Sequence, residues 1–471
     1  MAANTNDFSS YVFNSASFPW ESEQSYLLIP SFGLHGFTNT DTYVQASDSG
    51  KPMFLMNGNI NKLEISRTCP IFGGSMHVHG AYPTKLIHLP FAGDCTMLQF
   101  EAKRLRCPDC LHTEMQNITF KADNHRITIP LKHYIESLLA CNKYTLKDIA
   151  EMTGVNKNII KEIDKTRLVD LYTDKVNGKP VLKRIEESVP FLGVDEFLLH
   201  KGNTYATHII DQQSGKILWI AEGKKKQVIY DFIDHYGLDW MQGVQAVACD
   251  MNSDFEEAFI EKCPHIKIVY DHFHLVKNFN DKVVSEVRKD EQKRLEEEGD
   301  KEGARSLKKS RFILTSSRET LRKKDKEAEE GKVVKRGSEL FKTNDVKRKG
   351  GYEARYDSII AANKLLFIAD FVKEKLSYAY SLSHEEQMLK IINEIINVCE
   401  ETENKHFLWF AKLLRRHRNG IITHATYKIS AGKIEGINNR IKTLRRQSYG
   451  LPDDEYFFLK LIDRAAILQA R

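Results

Sequence analysis

The chain has 471 residues, 41% hydrophobic and 28% charged, with a net charge of +5. That balance excludes wholesale disorder and fits roughly two to four domains around at least one large core. No run of about 18 apolar residues occurs, no signal-peptide pattern opens the chain, and the eight cysteines lie scattered. A membrane span and a disulfide scaffold are therefore excluded as expectations, in favour of a reducing cytoplasm.

Residues 1–60 are rich in Ser, Asn, Phe and Tyr without a clear period, and read as an N-terminal extension with some strand. Residues 61–126 carry Cys107-Pro-Asp-Cys110, the C-x2-C spacing with which two thiolates reach one tetrahedral ion from a tight turn. Cys69-Pro-Ile-Phe72 begins a second such turn but has Phe72 where the second Cys belongs, so His77 or His79 is the candidate fourth ligand. The expected centre is a structural Zn²⁺ on Cys69, His77, Cys107 and Cys110, set against a ribbon that has lost its metal. Cys95 precedes a strand-like run and reads as a core residue.

Residues 127–187 read as helices with a helix-turn-helix signature. Thr145 can cap a first helix, Gly154 can form the turn, and Asn156 can cap a second. Ile159, Ile160 and Ile163 form the buried face of that second helix. Lys157, Asn158 and Lys161 are left outside to meet a DNA groove. An ordinary helical hairpin is the plainer alternative.

Residues 188–285 begin with three strand-like runs, Phe191–Leu199, Thr204–Asp211 and Lys216–Ala221, joined by turn dipeptides Gly202-Asn203 and Ser214-Gly215. Alternating helix and strand follow, which predicts a mixed sheet with helices on its faces. Residues 286–350 contain 21 basic and 15 acidic residues, too charged for a core, and read as solvated helices or an arm. Helical periodicity returns up to residue 410, making 286–410 a helical insertion. Residues 411–471 bring the last helices back to the sheet.

Four carboxylates stand in unusual places. Asp195 lies inside an apolar strand, Asp250 and Asp271 end strands, and Glu435 is the one acid among ten Lys or Arg between Ala411 and Gln447. Buried charge is costly unless it serves a cation or a reaction. Three or four acids converging on two divalent ions is what phosphodiester chemistry needs, and oxygen-only ligation suits Mg²⁺ or Mn²⁺. Asp195, Asp250 and Glu435 fit that geometry. Asp271 is open as a fourth ligand or a substitute for Asp250, and His274 as its orienting partner or a DNA contact. Glu435, Asn439, Lys442 and Arg446 recur at helical spacing and share a face, which describes a ligand beside phosphate-contacting groups. The plain alternatives are a strand acid paired with Lys201, a helix cap at Asp250, and a solvated basic helix carrying Glu435.

The strings Gly193-Val-Asp-Glu-Phe, Cys249-Asp-Met, Tyr270-Asp-His-Phe-His-Leu-Val-Lys277 and Lys433-Ile-Glu-Gly-Ile-Asn-Asn-Arg-Ile-Lys442 occur in this order. Together they resemble the ISL-three family of insertion-sequence transposases over roughly residues 60–471. The resemblance implies an RNase H-like catalytic domain with a helical insertion, behind a zinc-ribbon-like region and a helix-turn-helix. It implies a DDE enzyme whose triad is Asp195, Asp250 and Glu435, with Asp271 and His274 as an Asp-x-x-His element beside it. Two Mg²⁺ ions are the implied cofactors. Lys442, Arg445 and Arg446 would position the DNA backbone. The implied partners are double-stranded DNA, as terminal inverted repeats and target, and a second copy of the chain pairing two ends; no membrane is involved. A bacterial, nucleoid-associated protein is expected. The alternatives are a domesticated DNA-binding regulator and a standalone RNase H-like nuclease.

Overall fold

The chain divides into two compact units, Met1–Thr173 and Asp174–Arg471. The computed structural model describes residues 34–46, 50, 52–60, 68–251, 253–429, 432–447 and 452–467. Residues 1–33 of the expected extension lie outside the described residues.

In the first unit, β1 (Phe37–Ala46), β2 (Pro52–Ile60), β3 (His77–Phe91), β4 (Asp94–Arg106) and β5 (Thr113–Met115) form one sheet in the order β1-β2-β4-β3, with β5 on β4. The β3–β4 hairpin turns at Ala92-Gly93, both with positive φ, the backbone a tight two-residue turn demands. Phe37, Met56, Leu86, Leu98, Phe100 and Phe120 pack one core. A second core gathers Leu131, Ile135, Ile149, Val155, Ile160 and Ile163 from α1 (Ile129–Ala140), α2 (Leu146–Thr153), α3 (Lys157–Tyr172) and the turn between the last two.

A short hairpin, β6 (Thr173–Val176) and β7 (Lys179–Leu182), turns at Asn177-Gly178. The second unit is built on β8 (Phe191–His200), β9 (Thr204–Asp211) and β10 (Ile217–Glu222), which meander antiparallel as expected. Next come α4 (Lys226–Tyr236), α5 (Leu238–Met241), β11 (Ala246–Cys249), α6 (Ser253–Lys262), β12 (Lys267–Tyr270) and α7 (His272–Phe279). β11 lies parallel to both β8 and β12, giving the order β10-β9-β8-β11-β12. All four residues of β11 are buried, the near-continuous apolar run of a strand covered on both faces. This mixed sheet with flanking helices fits an RNase H-like fold.

α7 runs on through a π-helical turn, Asn280–Val284, into α8 (Ser285–Glu297). α9 (Lys301–Leu307), α10 (Arg311–Thr315), α11 (Arg318–Glu329), the hairpin β13 (Val333–Lys335) and β14 (Val346–Lys347), and α12 (Tyr352–Ala362) follow. Composition had predicted that this charged stretch gives nothing to a core. Instead Leu307, Ile313, Leu314 and Leu321 are buried, because a few apolar residues at helical spacing are enough to seat short helices. They join one hydrophobic cluster that runs from Leu192 of β8 to Ala425. α13 (Lys364–Ser381), α14 (Glu385–Glu401), α15 (Lys405–Arg416) and α16 (Arg418–Ile422) complete it. α17 (Gly432–Gln447) then packs on β8, and α18 (Asp454–Ile467) on β10. Among the described residues, no helix is long and apolar enough to cross a membrane.

Candidate active site

Register places the first two acids side by side. Ala248 of β11 pairs with Gly193 of β8, and Asp250 and Asp195 each stand two residues beyond that pair. Asp195 Oδ1 accepts from the Glu196 amide at 2.8 Å, and Oδ2 accepts from Asn438 Nδ2 of α17 at 2.6 Å. Burial pushes the Asp195 carboxyl above its ordinary pKa, and the charge of Asp250 adds to the push, against the pull of Asn438. A pairing with Lys201 is not how this acid is held.

Asp250 Oδ1 accepts from the Met251 amide at 2.6 Å, and Oδ2 lies 3.3 Å from His274 Nδ1. Burial opposes ionisation of Asp250, but the His274 hydrogen bond and charge outweigh it and hold its pKa down. Asp271 caps α7 by accepting from the Phe273 amide at 3.0 Å, and its Oδ2 lies 3.7 Å from His274 Nε2. His274 thus sits between two carboxylates, and its hydrogen bond to Asp250 raises its pKa. Burial raises the pKa of Asp271.

The seat of α17 comes from a glycine. A Cβ on Gly193 would stand 2.4 Å from Gln212 Nε2 and 2.9 Å from Ile434 Cδ1, so only Gly lets the helix settle this close to β8. Ile434, Ile437, Ile441 and Leu444 are the buried stripe of α17. That phase turns Asn438 toward Asp195, a contact the sequence reading missed. Glu435, Asn439, Lys442 and Arg446 do share one face, and that face is exposed. The structure brings Asp195, Asp250, His274 and Asp271 together, while Glu435 stands one helical turn before Asn438. Arg445, expected to position DNA, is engaged within the chain. It donates to the carbonyls of Leu198 and Leu199, and its guanidinium lies 4.9 Å over the Phe457 ring. It anchors α17 to β8 because its position flanks the apolar stripe.

His208 also escaped the sequence reading. It is Asp195's partner across β8 and β9, hence on the same face of the sheet. Its ring is fully buried with neither nitrogen hydrogen-bonded, and burial pushes its pKa down to about 4.

In the first unit, two chain turns form the predicted knuckles. Gly73 N donates to Cys69 O at 2.8 Å, and Leu111 N donates to Cys107 O at 3.1 Å. The sulfurs of Cys69, Cys107 and Cys110 lie within 4.8 Å of one another. Burial works against the Cys69 thiolate, but the Phe72 and Ile71 amides and the neighbouring thiols hold its pKa below the ordinary value. His77 is exposed at the start of β3 and does not join the group, and Cys95 lies instead against Gly154. Three thiolates suit zinc but fall one ligand short of a closed tetrahedron. Further on, Thr145 and Asp148 form a reciprocal capping box on α2, Gly154 ends it with φ +70°, and Asn156 caps α3. Lys157 and Asn158 are exposed at the start of α3, and Lys161 is half-buried.

A model of the ISL3 family of DDE transposases, described as a transposase, matches residues 192–461. This chain belongs to the ISL3 family of insertion-sequence transposases. The transposase is similar to that of insertion sequence element IS1001 from Bordetella parapertussis, at 26% identity over 384 residues, covering 82% of this chain and 85% of the relative. It is also similar to the transposase of IS1557 from two Mycobacterium tuberculosis strains, at 23% identity over 277 residues, covering 55% of this chain and 56% of each relative. DDE transposases generally use divalent metal ions and bind DNA. The oxygen donors of Asp195 and Asp250 fit such an ion: two adjacent, half-buried carboxylates repel each other until a cation or a proton intervenes.

Proposed function

We propose that this transposase binds the terminal inverted repeats of its own insertion sequence, cleaves them and joins them to target DNA. The observation that carries the reading is the level pair Asp195 and Asp250 on adjacent parallel strands, crossed by the helix that bears Glu435. Asp195, Asp250 and Glu435 would hold Mg²⁺ or Mn²⁺. The chemistry two such ions supply is activation of the attacking oxygen and a clamp on both oxygens of an in-line displacement.

The chain's own residues do the rest. Asn438 keeps Asp195 oriented and favours its ionised form. His274, held between Asp250 and Asp271, fixes Asp250 in place. Lys442, Arg446 and Asn439, on the exposed face of α17, meet the DNA backbone, so binding weakens steeply with salt. The α2–α3 pair acts as a helix-turn-helix, with Lys157, Asn158 and Lys161 toward the groove. The cysteine cluster acts as a zinc-ribbon-like support. Pairing of two ends calls for a homodimer.

The test is Glu435→Gln in the full chain, with the element's own ends and Mg²⁺. Strand cleavage and strand transfer should vanish while end binding persists. Full cleavage by that variant would sink the assignment.

A further inference from the structure

One face of α7 and the turn after it has no place in the chemistry above. Phe273, Val276, Lys277, Asn280 and Asp281 line it, and Arg311, Phe312 and Thr315 of α10 line the opposite wall. The groove between them encloses about 540 Å³, within the range of ligand clefts, about 300–1,000 Å³. Large aromatics are normally withdrawn from water, yet Phe273 is 56% and Phe312 46% exposed here.

The groove opens beside the paired acids. The Phe273 ring packs edge-on to His274, at 6.0 Å between centroids, and His274 lies 3.3 Å from Asp250. Lys277, exposed and one turn after Phe273, is near enough for its charge to act on Asp250. Lys324 sits 4.0 Å over the Phe312 ring. Arg311 is held by Ser285 Oγ at 3.2 Å, and Ser285 is in turn tied to the Asn280 carbonyl across the π-helical turn. Such turns recur at functional sites. The acid in the groove, Asp281, is engaged by Arg311 at 2.8 Å in a solvent-exposed pair that a phosphate can replace at little cost. Finally, Asn280 Oδ1 is buried in this wall with no hydrogen-bond partner.

An exposed aromatic face, three cations against one carboxylate, and an unsatisfied amide oxygen together describe a site for a base with its phosphate. Bases inside a duplex cannot reach such a face, because their own faces are already stacked. We propose that this groove receives one unpaired nucleotide of the DNA strand next to the scissile phosphate. Its base stacks on Phe273 against the Phe312 wall, its backbone is met by Lys277 and Arg311, and its amino group is read by Asn280 Oδ1. The inference rests on the reading of Asp195 and Asp250 as the cleavage centre.

The test is binding by the full chain, without added divalent metal, of a single-stranded oligodeoxycytidylate carrying one 2-aminopurine. A blunt duplex of equal length is the comparison. The wild-type chain should quench the 2-aminopurine. Phe273→Ala should weaken single-strand binding by about fivefold to a hundredfold, the range for one lost base–aromatic stack, while duplex binding changes by less than about twofold. Phe273→Trp should restore the stack. Lys277→Ala should reduce the salt slope for single strands by about 0.7. Phe341→Ala, at an exposed aromatic between β13 and β14, should change neither. Unchanged single-strand affinity in Phe273→Ala, or equal losses on single strand and duplex, would overturn the proposal, the latter pointing to a general fold defect. Asp195→Asn should leave single-strand binding intact. Cleavage surviving in that variant would therefore count against the catalytic reading and not against the groove.

Discussion

Asn438→Ala removes one hydrogen bond, and its consequence can be worked through. The Asn438 amide donates to Asp195 Oδ2 at 2.6 Å, and it is the strongest influence opposing the effect of burial on that carboxyl. A hydrogen bond to a charged acceptor contributes about 1.5–3 kcal/mol, a factor of about 10–150 in the ionisation equilibrium. Asp195 already has a raised pKa from burial, so losing Asn438 raises it further. The ionised form that the proposed reaction needs then forms only at higher pH. The expected result is an acid limb of the cleavage pH profile displaced toward neutrality. In the acid range the rate should fall by roughly tenfold to a hundredfold, and the loss should largely recover at alkaline pH. The assay is single-turnover nicking of labelled element ends at saturating Mg²⁺ across the pH range, with end binding measured in parallel. A uniform loss at every pH would refute the electrostatic account, and so would an unmoved acid limb. Asn438→Asp offers the converse check: a second acid against Asp195 should displace the limb in the same direction.

Other outcomes follow from neighbouring features. His208 stays neutral when folded with a pKa of about 4, whereas the unfolded chain takes up its proton near pH 6.5, so stability should fall as pH drops through that window, by about 2 kcal/mol at pH 5. His208→Phe should abolish that part of the decline in urea unfolding compared at pH 7.5 and pH 5; an identical decline in both proteins would count against it. Phe72→Cys supplies the fourth thiolate beside Cys69, Cys107 and Cys110, and should increase zinc retention in competition with a chelator. A Cβ on Gly420 would meet the buried Tyr270 ring at 2.5 Å. Gly420→Ala should therefore cost about 1–3 kcal/mol of stability and lower the melting temperature.

The sheet was legible because its signals are local. Gly202-Asn203 takes positive φ at both residues, as a tight turn between antiparallel strands requires. The apolar runs before Asp250 and Asp271 are short buried strands, and their parallel pairing brings two distant acids level. What escaped depended on phase and on three dimensions. Ile434, Ile437, Ile441 and Leu444 were visible in the sequence, and their spacing alone fixes the inward stripe of α17. Following that stripe, in place of the charged residues, points Asn438 and Arg445 at the sheet, with Glu435 exposed one helical turn before Asn438 and Lys442 exposed on the same face. His208 carries no motif, because its position across from Asp195 exists only once two strands pair. The hairpin between α11 and α12 was hidden by charge, since its strands are two or three residues long and bury little.

The hydrophobic cluster shared by the sheet and the inserted helices bears on how this chain can be cut and rebuilt. Leu192 and Val247 belong to the same continuous interior as Leu321, Ile392 and Phe410. The helix that begins at the Asp271 cap does not stop where the insertion begins, but crosses into it through the π-helical turn. An engineer who removed residues 286–410 and closed the gap with a short linker would strip one wall from the sheet that carries Asp195 and Asp250 and expose its apolar back to water. Grafting between relatives therefore belongs at the boundary near Thr173, where the chain divides into its two units, and the sheet and its inserted helices should be exchanged as one piece.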